Sequence, residues 1–116
     1  MKEFTLYHNP RCSKSREALA LLEQHKITPR VVLYLETPPN KTTLKKLLKQ
    51  LALNARDILR SNEDIYKELK LQQANLSDDA ILQAITEHPK LLQRPIVSNG
   101  ERAVIGRPPS DIIGLL

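Results

Sequence analysis

The sequence holds a single cysteine, Cys12, so no internal disulfide framework can form. No charged segment followed by an apolar one opens the chain, which leaves a reducing cytoplasm as the expected compartment. Long apolar runs are missing as well. Stretches such as Val31-Val32-Leu33-Tyr34-Leu35 fall far short of the roughly 20 residues that span a bilayer, so no membrane partner is expected. Tryptophan is absent, and Phe4, Tyr7, Tyr34 and Tyr66 are too scattered to form a base-stacking platform, so no nucleic-acid partner is expected either. Three dispersed histidines and one cysteine make a poor metal set, and no metal is expected. Neither internal repeats nor low-complexity segments occur.

What is present is a chain of 116 residues with a net charge of +5. A chain of that size forms one domain and buries roughly two-thirds of the surface its unfolded form exposes. The positive balance favours anionic partners without choosing among them. Lys41, Lys45, Lys46 and Lys49 interleave with Leu44, Leu47, Leu48 and Leu51 at helical spacing, the pattern of a solvated face on an amphipathic helix.

Along the chain, Lys2 to His8 alternates polar and apolar residues and predicts a strand that Asn9-Pro10 ends. Ser13 to His25 predicts a helix with Ala18, Leu19, Leu21 and Leu22 as its apolar stripe, and Pro29 to Leu35 a buried strand. Two strands joined through a helix should run parallel. After the turn signal Thr37-Pro38-Pro39-Asn40 the pattern becomes helix after helix as far as His88-Pro89. Ser61 and Ser77 stand as N-cap signals there, each with acids in the following turn. Ile96-Val97-Ser98 and Arg102-Ala103-Val104-Ile105 then flank Asn99-Gly100, a hairpin signal for a type I′ turn. Pro108-Pro109-Ser110-Asp111 starts a last helical turn ending at Leu116.

Cys12 lies one residue before the first helix, where unpaired backbone N–H groups and the positive end of the helix dipole stabilise a thiolate. Arg11, Lys14 and Arg16 add positive charge, and such a place also binds oxyanions. The bland alternative is an inert core cysteine, against which stand its polar flanks. Several chemistries can be set aside. A cysteine phosphatase loop needs an arginine six positions after the cysteine, where this chain has Ala18. A dithiol oxidoreductase needs a second cysteine where Ser15 stands. A cysteine hydrolase needs an oriented base, and only His8 is near in sequence. Two-electron reduction by thiols consumes two thiols, so a second must come from outside, with glutathione the abundant cytoplasmic candidate.

The run His8-Asn9-Pro10-x-Cys12-x-x-Ser15-Arg16 resembles the signature of the glutaredoxin-dependent arsenate reductase family, ArsC. The likeness extends to Asp57-Ile58-Leu59-Arg60 with Ser61-Asn62-Glu63, to Arg94-Pro95-Ile96, and to Ile105-Gly106-Arg107-Pro108-Pro109, in that family's order. It implies an α/β, thioredoxin-like fold with a mixed four-stranded sheet: one domain over 1–116, its core at 1–35 and 89–116 and a helical insertion at 36–88. It also implies a monomeric cytosolic oxidoreductase with no bound cofactor, reducing arsenate or a related oxyanion with glutathione as co-substrate and glutaredoxin as partner. Cys12 would attack arsenic, and Arg60, Arg94 and Arg107 would bind the oxyanion. Ser15 would support the thiolate through its hydroxyl and His8 as a nearby polar or cationic group, and the Arg94-Pro95 bond would be cis.

Two departures accompany the likeness. Ser13-Lys14 stands where arsenate reductases of this family tend to carry Gly-Thr, and many of them continue beyond the position of Leu116. Two other readings share the features. A glutathione-dependent thiol reductase acting on another electrophile would need Cys12 but not all three arginines. An Spx-type regulator that binds RNA polymerase shares the fold, although the Cys-x-x-Cys switch common in that group is ruled out by Ser15.

Overall fold

The computed structural model describes residues 3–116; the predicted first strand's start at Lys2 lies outside them. Four short strands, β1 (Thr5–Tyr7), β2 (Arg30–Val32), β3 (Ile96–Ser98) and β4 (Ala103–Ile105), form one mixed sheet in the order β2-β1-β3-β4. As expected for strands joined through a helix, β1 and β2 are parallel. The pairs β1·β3 and β3·β4 are antiparallel. Helix α1 (Ser13–Gln24) makes the β1–β2 crossover; α2 (Lys41–Leu51), α3 (Asp64–Glu68) and α4 (Asp78–Glu87) fill most of the stretch between β2 and β3. Single 3-10 segments cover Ala55–Ile58, Pro89–Leu91 and Pro109–Leu115. No helix of the described residues is long and apolar enough to cross a membrane.

Strand alternation sorts the core into two layers. Leu6 opposes Val97, and on their face pack Ala18 and Leu22 of α1 with Ile112 and Leu115 of the last segment. Tyr7 opposes Ile96, and their face meets Leu44 and Leu47 of α2, Ile81, Leu82 and Ile85 of α4, and Tyr34, Ile58, Leu59, Leu91 and Leu92. Each fully buried side chain of Leu or Ile size contributes about 1.5–3 kcal/mol relative to exposure. The lysines of α2 point away from this layer, and Lys45, Lys46 and Lys49 are exposed as the spacing predicts.

Local chemistry sets the helix boundaries. The Asn40 side chain accepts the Thr43 N–H at 2.8 Å to cap α2, and Ala52 ends that helix in the left-handed region at φ 57°. Ser77 caps α4 by accepting the Ala80 N–H at 3.1 Å. Three expectations are corrected. Ser61 is not an N-cap: α3 begins after Glu63, whose carboxylate turns to Arg60. The β2 strand is not buried. The sheet order leaves it at the edge, with Arg30 exposed and Val31 42% exposed, and only Pro29 and Tyr34, which flank the strand, are buried in that run. The hairpin forms, but its turn is shifted by one residue from Asn99-Gly100. Asn99 N–H donates to the Arg102 carbonyl at 2.9 Å, Gly100 alone takes positive φ (95°), and the Asn99 side-chain oxygen accepts the amides of Glu101 and Arg102. A short polar side chain that can accept both amides removes the need for positive φ at Asn99.

Candidate active site

The chain leaves β1 through His8, whose N–H donates to the Val32 carbonyl at 2.9 Å and so keeps the exit beside β2. Asn9 organises the turn that follows. Its side-chain oxygen accepts the Arg11 N–H at 3.0 Å, its carbonyl accepts the Cys12 N–H at 3.0 Å, and its own N–H donates to Ser15 Oγ at 3.0 Å. Cys12, with extended backbone, is then the N-cap residue of α1, its carbonyl accepting the Arg16 N–H at 3.0 Å. The thiol is partly exposed.

Beneath it lies a buried pair: His8 Nδ1 and Ser15 Oγ form a 2.6 Å hydrogen bond, with Ser15 fully buried and His8 6% exposed. Burial and, after it, the Arg16 guanidinium push the His8 pKa below its ordinary value, so this imidazole is neutral at pH 7. Of the two roles open to His8, the polar one fits and the cationic one does not.

Partial burial raises the Cys12 pKa, but opposing groups outweigh it and hold the thiol below its ordinary range. These are the backbone N–H of Ser15, the Arg94 side chain and the backbone N–H of Lys14, with the Arg94 charge adding to them. Two parts of the expected arrangement change here. Ser15 acts on the sulfur through its amide, while its hydroxyl is engaged with His8 and Asn9. The cations nearest in sequence act elsewhere: Arg16 donates to the Pro10 carbonyl at 2.9 Å, Lys14 lies 3.9 Å from Glu17, and Arg11 is exposed.

Arg94, which acts on the Cys12 sulfur, and Arg60 lie on segments that pair with each other. Leu59 and Leu92 form an isolated antiparallel bridge, Arg60 N–H donates to the Leu91 carbonyl at 2.7 Å, and Gln93 N–H donates to the Ile58 carbonyl at 2.9 Å. Arg60 is buried, with Nε 3.4 Å from a Glu63 carboxylate oxygen, an ion pair that lacks hydrogen-bond alignment. Arg94 precedes Pro95 through a cis peptide bond, as the family resemblance implies; Arg107–Pro108 is also cis. The Gly106 N–H donates to the Pro95 carbonyl at 2.8 Å, and Arg107 Nη1 donates to the Arg94 carbonyl at 3.0 Å. Exposed Arg107 is thus joined to the site through Arg94 rather than through the sulfur. Gly106 leaves little room at this approach, since a Cβ there would lie 3.0 Å from Pro95 Cγ and 3.3 Å from Ile112 Cγ2.

Three buried polar atoms have no hydrogen-bond partner among the described residues: Nε of Arg60, Nε of Arg94 and the hydroxyl of Tyr34. Arg94, whose Nε has no acceptor, beside a lowered-pKa thiol, with Arg60 and its Glu63 ion pair on the neighbouring segment, suits a tetrahedral anion and a nucleophile that attacks it. Tyr34 escaped the reading of the sequence because periodicity marks it only as an apolar position. The available signal was that a buried tyrosine hydroxyl ordinarily finds a partner. No group of three or more potential metal ligands occurs among the described residues. A cavity of about 590 Å³ opens between the β2 edge and α2, lined by Thr5, Arg30, Lys46 and Gln50 among others, and neither Cys12 nor the three arginines line it.

The ArsC family profile matches residues 7–114. Over 116 residues the chain is 51% identical to the uncharacterized protein YfgD of Escherichia coli strain K12, covering 99% of this chain and 98% of that one. It is 50% identical to the arsenate reductase of Neisseria meningitidis serogroup B strain MC58, with both chains covered completely. Among solved structures, the arsenate reductase from Vibrio cholerae superimposes with a TM-score of 0.96 at 51% identity, covering 99% of this chain and 98% of the other.

Proposed function

The chain belongs to the ArsC family, and from that membership we propose that it reduces arsenate to arsenite through Cys12, with glutathione and glutaredoxin supplying the external thiols. The observation that carries this reading is the junction of a thiol held below its ordinary pKa with the Arg94 guanidinium, whose buried Nε lacks an acceptor. Relatives named arsenate reductase across the full length support the choice of oxyanion.

In the proposed cycle Arg60 and Arg94 hold arsenate, with Arg107 steadying the Arg94 loop. The Cys12 thiolate attacks arsenic, and one arsenate oxygen leaves as water with protons from solvent. Glutathione then forms a disulfide with the Cys12 sulfur while the As–S electron pair stays on arsenic, which leaves as arsenite. Arsenic gains two electrons and the two sulfurs lose them. A glutaredoxin thiol removes glutathione from Cys12 and restores the free thiol. In the same reading, residues 36–88 are a helical insertion whose contribution to chemistry is Arg60, carried to a thioredoxin-like core.

The test is arsenate reduction assayed with glutathione and glutaredoxin together, each alone, and neither, with mass spectrometry on the protein. The reading predicts turnover only when thiols are supplied, a glutathione adduct on Cys12 when glutaredoxin is omitted, and no turnover by Cys12→Ser. Full turnover with a non-thiol reductant alone, or activity surviving in Cys12→Ser, would overturn it.

A further inference from the structure

Tyr34 is fully buried, yet its hydroxyl meets no hydrogen-bond partner among the described residues. A tyrosine placed only to fill the apolar layer would cost less as phenylalanine, because an unpaired buried hydroxyl forfeits its hydration. The location explains what it gives that up for. The Val32 carbonyl accepts the His8 N–H, so the chain leaving β2 runs beside the loop that carries Cys12, and the turn at Leu33, whose carbonyl accepts the amides of Glu36 and Thr37, sets Tyr34 at that end of the sheet. The charges of Arg94 and Arg60, the side chain of Asn9 and the Cys12 sulfur all act on the Tyr34 hydroxyl. The Asn9 side chain lies close enough to favour the phenolate, yet it makes no hydrogen bond of proper distance and angle with the hydroxyl, and the Tyr34 O–H is left with no acceptor. Among the described residues the Tyr34 hydroxyl and Arg94 Nε are thus buried polar atoms without partners that lie within electrostatic reach of each other, with the Arg60 guanidinium, held by Glu63, also acting on the hydroxyl. Burial raises the Tyr34 pKa against the pull of Arg94 and Arg60, so the group keeps its proton at neutral pH and can donate it.

We infer that Tyr34 is an anion-contacting residue of this site, its hydroxyl donating a hydrogen bond to an oxygen of the tetrahedral oxyanion held by Arg60 and Arg94. The inference rests on the reading of the site as an oxyanion site and adds a neutral donor to it. An uncharged donor supplies directionality without more positive charge, so it favours an acceptor oxygen at one fixed position over any anion of equal charge.

The test uses the full chain with Cys12→Ser, which cannot turn over, and the same chain with Tyr34→Phe added. Arsenate binding is measured by calorimetry, and thermal unfolding is followed without arsenate. Loss of a hydrogen bond to a charged group predicts arsenate affinity weaker by about tenfold to a hundredfold. The unfolding midpoint of the empty protein should stay or rise, because the hydroxyl has no partner there to lose. Equal affinity in the two proteins would overturn the role of Tyr34 while leaving the arginine site standing. A midpoint that falls in the empty Tyr34→Phe protein would also overturn it, as the hydroxyl would then be a structural donor. Absence of arsenate binding in the protein that retains Tyr34 would overturn both this inference and the oxyanion reading.

Discussion

The 2.6 Å hydrogen bond between His8 Nδ1 and Ser15 Oγ joins the end of β1 to the first turn of α1 directly beneath Cys12. Both residues are buried, and the same hydroxyl oxygen accepts the Asn9 N–H, so one side chain holds the whole turn from which the thiol projects. Ser15→Ala would leave His8 and the Asn9 amide without that partner, at about 1–3 kcal/mol for each buried group left unpaired. Urea unfolding is expected to report that loss. An unchanged midpoint with an unchanged slope would mean the turn is held by something else.

The buried imidazole makes stability depend on pH. Burial, and then the Arg16 charge, lower the His8 pKa in the folded chain, while the unfolded chain binds the proton at the ordinary value of about 6.5. Above that value both states are neutral and His8 contributes no pH dependence. As pH falls below it, the unfolded state takes up the proton first, and stability is lost until the folded-state pKa is passed. Unfolding free energies measured at a series of pH values should therefore decline below about 6.5 more steeply in the parent than in His8→Asn. Parallel curves would contradict a neutral, buried His8.

Arg60 is buried with its Nε 3.4 Å from the Glu63 carboxylate, which steadies the guanidinium without a hydrogen bond to that nitrogen. Arg60→Ala is expected to weaken oxyanion binding by about tenfold or more, as removal of a charge-assisted donor does, with Arg60→Lys recovering only part because an ammonium lacks the planar fork. Calorimetric titration with arsenate measures this. Full recovery by lysine would reduce Arg60 to a source of charge.

Gly106 is where the Arg94 and Arg107 loops touch. Gly106→Ala forces a methyl against Pro95 Cγ at 3.0 Å and Ile112 Cγ2 at 3.3 Å, an overpacking expected to cost about 1–3 kcal/mol. Because Pro95 follows Arg94, the substitution should also raise the arsenate KM. Stability and KM both unchanged would show that the loop pair has slack at this contact.

The sequence made local features legible and left long-range ones hidden. Asn40 and Ser77 announce their helices because a cap acts within its own turn, and the position of Cys12 before α1 follows from Asn9-Pro10 and the helical run after it. The edge position of β2 was not visible, since it depends on β3 adding to the far side of β1 from the other end of the chain. The meeting of Arg60 with Arg94 depends on the Leu59–Leu92 bridge, and no spacing rule reaches that far; only the family resemblance brought the two together. Arg11, Lys14 and Arg16 misled in the opposite sense. They are close to Cys12 in sequence, but the turn before Cys12 leaves Arg11 exposed and α1 carries Lys14 and Arg16 toward solvent and local partners, while Arg94, distant in sequence, acts on the thiol.

The central claim is that Cys12 is a thiolate nucleophile made by the start of α1 and by Arg94, and its most direct test is the rate of iodoacetamide labelling of Cys12 against pH. The parent protein should show a midpoint below the ordinary thiol value of about 8.5. Arg94→Ala should move that midpoint upward, and Arg16→Ala should leave it in place. A parent midpoint at or above about 8.5, or one indifferent to Arg94→Ala, would contradict the account and return Cys12 to an inert residue of the loop.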